Sequence, residues 1–267
     1  MARVLVTGGS TGIGQAVAEQ LIKQGHEVTC TSRSVQSGQS SVEWFTLDLS
    51  EPESVNAFCQ SPVWDKPIDA VFNNAGFGLI APIESASDEA IRQQFEANYF
   101  GTMAITRRAM EHFRQRGRGR LMVNTSIGGR MAFPYFGYYN ATKHALEASY
   151  EALWYECRDS DIQIKIIEPG FTQTNFATHG MQMSGETSPY HVNGLSWLAQ
   201  SMREGTTATP PTEIAPVIVN ALFDTKHTLR YHAGKHSGSL LLLRKLLPDS
   251  WFQALISRAV LRGQEST

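Results

Sequence analysis

The feature that most limits how this chain can fold is a rhythm, in which short β-branched runs alternate with longer amphipathic stretches. ARVLVTG leads into an amphipathic segment ending near Gln24, then come HEVTCTS, SVEWFTLD and a helical pattern from about Pro52 to Cys59. The rhythm continues: DAVFNNAG reads as a strand, residues 87 to 116 as one or two helices, RLMVNTS as a strand, 138 to 158 as a long helix and IQIKIIEPG as a strand. Parallel neighbours need crossover connections, so this alternation predicts an α/β fold: a Rossmann-type, doubly wound parallel sheet with helices on both faces. A chain of 267 residues fits one such domain, and residues 1–267 are read as one unit.

Two segments break the rhythm. Residues 172–211 are rich in Gly, Ser, Thr, Met and His and exceed the length of an ordinary connection, which predicts a lid over a site. Residues 239–267 predict a C-terminal helical extension, with apolar pairs at 251/252, 255/256 and 259/260 on one face.

Hydrophobic residues at 42% and charged residues at 18% describe a globular chain, and a formal net charge of -2 offers no general attraction to nucleic acid or anionic lipid. Arg114, Arg116, Arg118 and Arg120 alternate with other residues in RQRGRGR, without interleaved aromatics, and are read as a solvated loop. Three cysteines, Cys30, Cys59 and Cys157, at wide spacing argue against a disulfide framework or a zinc site. The N-terminus enters a strand directly and no apolar run reaches membrane-spanning length, so a cytoplasmic protein without stable membrane insertion is expected.

TGGSTGIG, residues 7 to 14, falls where the first strand ends and the first helix begins, a place where free backbone N–H groups and the helix dipole favour phosphate. Gly8 would make the tight turn, Gly12 would admit the phosphates, and Gly14 would let the helix pack against the strand. The second strand ends in Ser32 and Arg33 where a carboxylate would accept from ribose hydroxyls. A hydroxyl followed by a guanidinium suits a 2′-phosphate, so NADP(H) is the expected cofactor, with NAD(H) possible.

YYNATK, residues 138 to 143, holds two adjacent tyrosines and one lysine. On a helix Tyr139 and Lys143 lie one turn apart on one face, whereas Tyr138 is rotated away. Ser126 ends a strand at the carboxyl edge, where open α/β sheets bind ligands, and is the natural third member.

These segments, with Asp48, NNAG at 73 to 76, Asn98 and PGFTQT at 169 to 174, occur in an order and at intervals that resemble the short-chain dehydrogenase/reductase family. The resemblance implies a catalytic set of Asn98, Ser126, Tyr139 and Lys143. Tyr139 would be the general acid or base. Lys143 would also hold the nicotinamide ribose, Ser126 the substrate oxygen, and Asn98 a water relay to the lysine. It further implies cofactor contacts at Gly8, Ser10, Thr11, Gly12, Ile13, Gly14, Ser32, Arg33, Asp48, Leu49, Asn74, Ala75, Gly76, Tyr139, Lys143, Pro169, Gly170, Thr172 and Thr174. The chemistry is coherent, because reduction of a carbonyl needs a proton donor and stabilisation of a developing alkoxide. A free phenol with a pKa near ~10 is too weak a base at neutral pH, and a nearby ammonium would favour the phenolate.

IGGRMAFPYFGY before Tyr139, and Phe171, Phe176, Met181, Met183, Tyr190, Trp197 and Leu198 after Gly170, suit a hydrophobic ketone, aldehyde or secondary alcohol. LRYHAGKHS and the tail are similar to the branch containing 17β-hydroxysteroid and retinol dehydrogenases. A 3-oxoacyl-thioester reductase, with Arg130 and Arg203 at a basic entrance, and a non-catalytic NADP(H)-sensing protein are the alternatives. The tail is read as packing within the chain or between subunits, with a membrane-surface helix as the alternative. His232 and His236 stand four apart without a nearby carboxylate or cysteine in sequence, so no metal is expected. The family implies a homodimer or homotetramer packed through helices near 98 to 116 and 138 to 158.

Overall fold

A computed structural model describes residues 1–34, 41–173, 181–183 and 208–261, with the backbone alone for 181–183 and 259–261. Seven strands form one wholly parallel sheet in the order β3 (Val42–Thr46), β2 (Glu27–Ser32), β1 (Arg3–Val6), β4 (Ala70–Asn73), β6 (Arg118–Asn124), β7 (Asp161–Pro169) and β9 (Arg230–Ala233). The chain starts in the middle, runs outward through β2 and β3, and returns to the other side of β1. That reversal opens a crevice between β1 and β4 at the carboxyl edge, which is where such sheets bind ligands. A small parallel pair, β5 (Gly78–Ile80) with β8 (Met181–Met183), stands apart from the sheet.

Each central strand is apolar on both faces, as a sheet covered on both sides requires. Leu5 joins Val71, Leu121, Val123, Ile164 and Ile166 on one face, packed by α2 (Pro52–Cys59), α4 (Thr102–Arg116) and α5 (Gly137–Glu156). Its neighbours Val4 and Val6 join Val28, Phe72, Met122 and Ile167 on the other, packed by α1 (Gly12–Lys23) and α6 (Pro211–Phe223). Burying one such side chain contributes about 1.5–3 kcal/mol, so the central strands are the most strongly anchored part of the molecule.

Helix ends follow local chemistry. Ser87 caps α3 (Asp88–Phe95) by accepting from the Ala90 N–H at 3.2 Å. Gly117, at φ +72°, stops α4 and passes the chain straight into β6. RQRGRGR is therefore not a loop. Arg114 and Arg116 close α4, and Arg116 bonds Asp69 at 3.0 Å and also the Ile68 carbonyl. Arg118 and Arg120 open β6, with the Arg120 guanidinium over the Phe223 ring. Between α3 and α4 the helix widens into a π turn, Glu96–Gly101, which holds Asn98.

The tail forms α7 (Ser237–Leu246) and α8 (Asp249–Leu261). The apolar pairs do not share one buried face. Phe252 and Ile256 pack on Ile127 and Met131, whereas Trp251 and Leu255 face outward, because successive helical residues point about 100° apart and only the i, i+4 line meets the body. Positions 259/260 lie outside the described side chains. β9, in LRYHA, is a strand that periodicity does not predict.

Candidate active site

The carboxyl edge collects the predicted residues from six strand ends, two helices and the π turn. After β1 the chain turns sharply at Gly8, φ +66°, and again at Gly12, φ +58°. Both values lie in the left-handed region that glycine enters freely. Thr7 fastens this turn to its neighbour: its Oγ1 accepts from the N–H groups of Asn74 at 3.0 Å and Ala75 at 3.1 Å. Asn74 Nδ2 donates to the carbonyls of Thr7 and Gly8, and Asn74 Oδ1 accepts from Asn124 Nδ2 at 3.0 Å. Gly14 packs against the turn itself, since a Cβ there would lie 2.1 Å from the Gly8 carbonyl oxygen and 2.6 Å from Asn74 Nδ2.

Thr11, at the start of α1, gives that helix no side-chain cap. The first turn, with Ile13, thus presents N–H groups and the positive end of the dipole over two left-handed glycines, beside Ser10. This cradle fits the diphosphate of a dinucleotide. At the end of β2, Ser32 is buried and Arg33 exposed. Asp48 Oδ1 accepts from Ser50 N–H at 2.9 Å and from its hydroxyl at 2.6 Å, so one carboxylate oxygen already serves the turn into α2. Leu49 is buried with its carbonyl under Gly101, where a Cβ would stand 2.4 Å away. Gly76 lies against Asn98 Oδ1, at 2.9 Å from a Cβ placed there.

At the other end of the crevice, Ser126 leaves β6 in extended backbone and its Oγ accepts from Gly128 N–H at 3.0 Å. Tyr139 and Lys143 are one turn apart on α5, and Ser126 Oγ and the Tyr139 ring both border Gly128, 3.4 and 3.6 Å from a Cβ placed there. Lys143 Nζ donates to the Asn124 carbonyl at 2.7 Å and lies 5.7 Å from the Tyr139 ring centre. Tyr138 points elsewhere, its hydroxyl donating to the Ile83 carbonyl at 2.9 Å. Asn98 joins through its neighbours: its side chain accepts from Phe77 N–H, donates to the Phe77 carbonyl, and donates to Thr142 Oγ1 at 3.2 Å, next to Lys143.

Burial governs the ionisation here. It pushes the Tyr139 phenol up to about 12, opposed by the Ser126 side chain. It pushes Lys143 down to about 8, opposed by the charge of Glu147. The expected lowering of the phenol by the ammonium is not found: burial raises it, and Ser126 is the group that opposes. With its pKa raised, the Tyr139 hydroxyl is set to hold its proton and donate it.

The walls are apolar. Ile80 and Phe136 are buried with Phe133, Tyr135 and Tyr139 packed against them, and the Phe133 and Phe171 rings lie 5.9 Å apart. Pro169 ends β7, and Gly170 N–H donates to the Ala233 carbonyl at 2.9 Å. Thr172 Oγ1 donates to the Gly170 carbonyl at 3.1 Å, and Thr172 bridges to Thr209. Thr174, Phe176, Tyr190, Trp197, Leu198 and Arg203 lie outside the described residues, as does most of the expected lid.

The sequence reading missed a layer of polar residues behind the site. Glu147, four residues after Lys143, accepts from Thr125 Oγ1 at 2.6 Å and from Arg230 Nε at 2.9 Å. Arg230 also bonds Glu151 at 2.8 Å. Fully buried Glu168 pairs with Arg130 at 3.2 Å, with Arg230 at 3.5 Å and with His232 Nδ1 at 2.7 Å. A carboxylate inside the apolar run IQIKIIEPG was the available signal for Glu168. Among the described residues no group of three or more His, Cys, Asp or Glu could hold a metal ion.

Residues 2–184 match the family described as short chain dehydrogenase. The chain is 28% identical over 254 residues to a 3-ketodihydrosphingosine reductase of Bacteroides thetaiotaomicron, covering 94% of each. A short-chain dehydrogenase from Streptomyces avermitilis superposes with a TM-score of 0.82 at 29% identity, covering 99% of this chain and 98% of that one. An alcohol dehydrogenase from Thermococcus sibiricus, complexed with 5-hydroxy-NADP, superposes with a TM-score of 0.70 at 25% identity, covering 88% of this chain and 96% of that one.

Proposed function

The chain belongs to the short-chain dehydrogenase family of oxidoreductases, and from that premise we propose that it interconverts a hydrophobic ketone or aldehyde and the corresponding alcohol with NADP(H), Tyr139 serving as general acid and base. The observation that carries this reading is that Tyr139 and Ser126 converge beside Gly128, the ring and the Oγ 3.6 and 3.4 Å from a Cβ placed there, at an apolar wall with Lys143 one turn away. The nicotinamide, when bound, supplies or accepts the hydride.

In reduction a substrate oxygen between Ser126 and Tyr139 receives two hydrogen bonds that strengthen as negative charge develops on it. Tyr139 gives its proton to that oxygen. Lys143 keeps positive charge close to the tyrosinate left behind, which limits the cost of forming an anion in a buried place. In oxidation the same groups run in reverse. The uncapped start of α1 with Gly8, Gly12 and Gly14 would hold the diphosphate. Exposed Arg33, with no carboxylate at the end of β2, supports NADP(H) over NAD(H). The Thermococcus enzyme's nucleotide is in line with that choice.

The apolar walls formed by Ile80, Phe133, Tyr135 and Phe136 support a hydrophobic substrate. The Bacteroides relative is named a 3-ketodihydrosphingosine reductase, and the sequence of the tail suggests the 17β-hydroxysteroid and retinol dehydrogenase branch. Long-chain ketones, steroids and retinoids therefore head the panel. The 3-oxoacyl-thioester alternative loses support because Arg130 is drawn to Glu168. Exposed Phe100 on the π turn and Tyr155 on α5 support assembly through the α4 and α5 faces.

The test is NADPH oxidation by purified protein across ketones and aldehydes of increasing apolar size, run beside Tyr139→Phe and repeated with NADH. Turnover that disappears in the variant and rises with substrate size supports the proposal. Undiminished turnover in Tyr139→Phe overturns the mechanism, and NADPH binding without any turnover favours the sensor reading.

A further inference from the structure

The buried acid layer behind the site is more than the fold requires. Glu147 lies on the same face of α5 as Tyr139 and Lys143, one further turn along, and is 4% exposed. Its two oxygens are assigned to different elements. Oε1 accepts from Thr125, the residue before Ser126, and Thr125 also donates to the Ile167 carbonyl at 2.8 Å. Oε2 accepts from Arg230 on β9. One carboxylate thus ties together the strand end that delivers Ser126, the helix that delivers Tyr139 and Lys143, and the last strand of the sheet.

We propose that Glu147 is a positioning residue for the reaction: it fixes the Ser126 strand end through Thr125 and supplies the negative charge that keeps Lys143 an ammonium. The inference rests on the oxidoreductase reading above. One geometric fact and one electrostatic one argue for the charge role. Lys143 Nζ has a neutral carbonyl, that of Asn124, as its hydrogen-bond acceptor, so its compensating charge comes from beyond that contact. Glu147 is the group whose charge favours the protonated lysine against burial.

Around Glu147 stand Lys143 and Glu151 on α5, Arg230 on β9, Glu168 on β7 and the Thr125 hydroxyl, with Arg130 and His232 held to Glu168. Arg230 spreads its charge over Glu147, Glu151 and Glu168, which lets three carboxylates share one neighbourhood. Arg230 therefore stabilises Glu147 as an anion without itself reaching Lys143. Burial and the charge of Glu168 both raise the Glu147 carboxyl, opposed by Thr125 and Arg230.

The experiment follows the protonation of Lys143 directly. Protein labelled with carbon-13 at the lysine ε-carbon is titrated by NMR without cofactor, with Lys143→Arg to assign the signal. In Glu147→Gln the Lys143 midpoint should fall by about half a unit or more, the usual direction when a nearby opposite charge is removed. Thr125→Val, which removes the hydrogen bond and keeps the charge, should leave the midpoint in place. Where Glu147→Gln does not fold, Glu147→Asp is read instead, and its shorter side chain should give a smaller fall. The alkaline limb of turnover should move by the same amount as the NMR midpoint. An unchanged midpoint in the folded Gln or Asp variant overturns the proposal. Absence of turnover in the wild-type protein would count against the oxidoreductase reading alone, because the NMR midpoint decides this inference without it.

Discussion

The two ends of the crevice are built on different principles. On the proposed reading the working groups at the glycine turn are backbone N–H donors, and the side chains around them, Thr7, Asn74 and Asn124, are neutral clamps that hold the backbone in place. At Ser126, Tyr139 and Lys143 the working groups are side chains, and what stands behind them is buried charge: Glu147, Glu168 and Arg230. A bound phosphate needs fixed dipoles, which shape alone can supply. Proton transfer needs tuned ionisation, which takes charge placed at a distance in low dielectric. The first end should therefore fail by changes of shape, and the second by changes of charge or of a single proton.

The largest expected effect is at the second end. Tyr139→Phe removes one hydroxyl and its proton from a wall that otherwise stays apolar, so turnover should fall about 10²–10⁴-fold. NADPH affinity, measured by fluorescence titration, should change little. A parallel loss of affinity would show that the two ends are not separable.

Gly14→Ala tests the first end by shape. The added methyl would sit 2.1 Å from the Gly8 carbonyl, a backbone atom that cannot swing aside. Overpacking of this kind costs about 1–3 kcal/mol. The melting temperature should drop, and NADPH affinity should fall with it. Preserved affinity would mean that the turn at Gly8 and Gly12 holds its ligand without its packing against α1.

The next effect is a matter of pH. With Lys143 pushed down to about 8 and Tyr139 pushed up to about 12, reduction should slow as pH rises through about 8. Above that value the lysine loses its charge, while the tyrosine keeps its proton throughout the range. A profile of turnover under saturating substrate from pH 6 to 10 checks this, and a rate that climbs across pH 8 would contradict the assignment. NADPH affinity should lack this limb if the diphosphate is held by backbone alone.

How far each end was legible in the sequence follows the same division. TGGSTGIG and YYNATK are local patterns, and their geometry is fixed by one turn and one helix, so the left-handed turns at Gly8 and Gly12 and the placing of Tyr139, not Tyr138, beside Lys143 could be read directly. The alternation of strands and helices carried the sheet, because each parallel crossover leaves a period in the sequence. The supporting layers join residues far apart: Asn124 meets Asn74 across 50 positions and Arg230 meets Glu147 across 83. No spacing rule reaches that far. Glu147 was visible only as a lysine–glutamate pair at four residues, which usually marks a solvated helix face. The arginines of RQRGRGR misled for the opposite reason, since alternating Arg and Gly describes a loop equally well as a helix stop at Gly117 followed by a strand.

Arg33→Ala probes the first end by charge and should have a modest effect. One exposed charge-assisted contact to a 2′-phosphate is worth about 1.4 kcal/mol, or roughly tenfold in the preference for NADPH over NADH. Ratios of kcat/KM for the two cofactors measure it. A larger change would make this end as charge-dependent as the other.

The smallest effect belongs to the other tyrosine. Tyr138 is separated from Tyr139 by one residue step on α5, yet its hydroxyl donates outward to the Ile83 carbonyl at an exposed position. Tyr138→Phe removes that bond and nothing from the site, a loss of about 0.5–1.5 kcal/mol at most where water can replace the partner. Turnover and NADPH affinity should stay within about twofold, with the melting temperature lowered slightly. Placed beside Tyr139→Phe, it makes the same chemical change one residue away. If both variants lost activity alike, the proton could not be assigned to one phenol, and the charge behind Lys143 would have to be read as serving the whole first turn of α5.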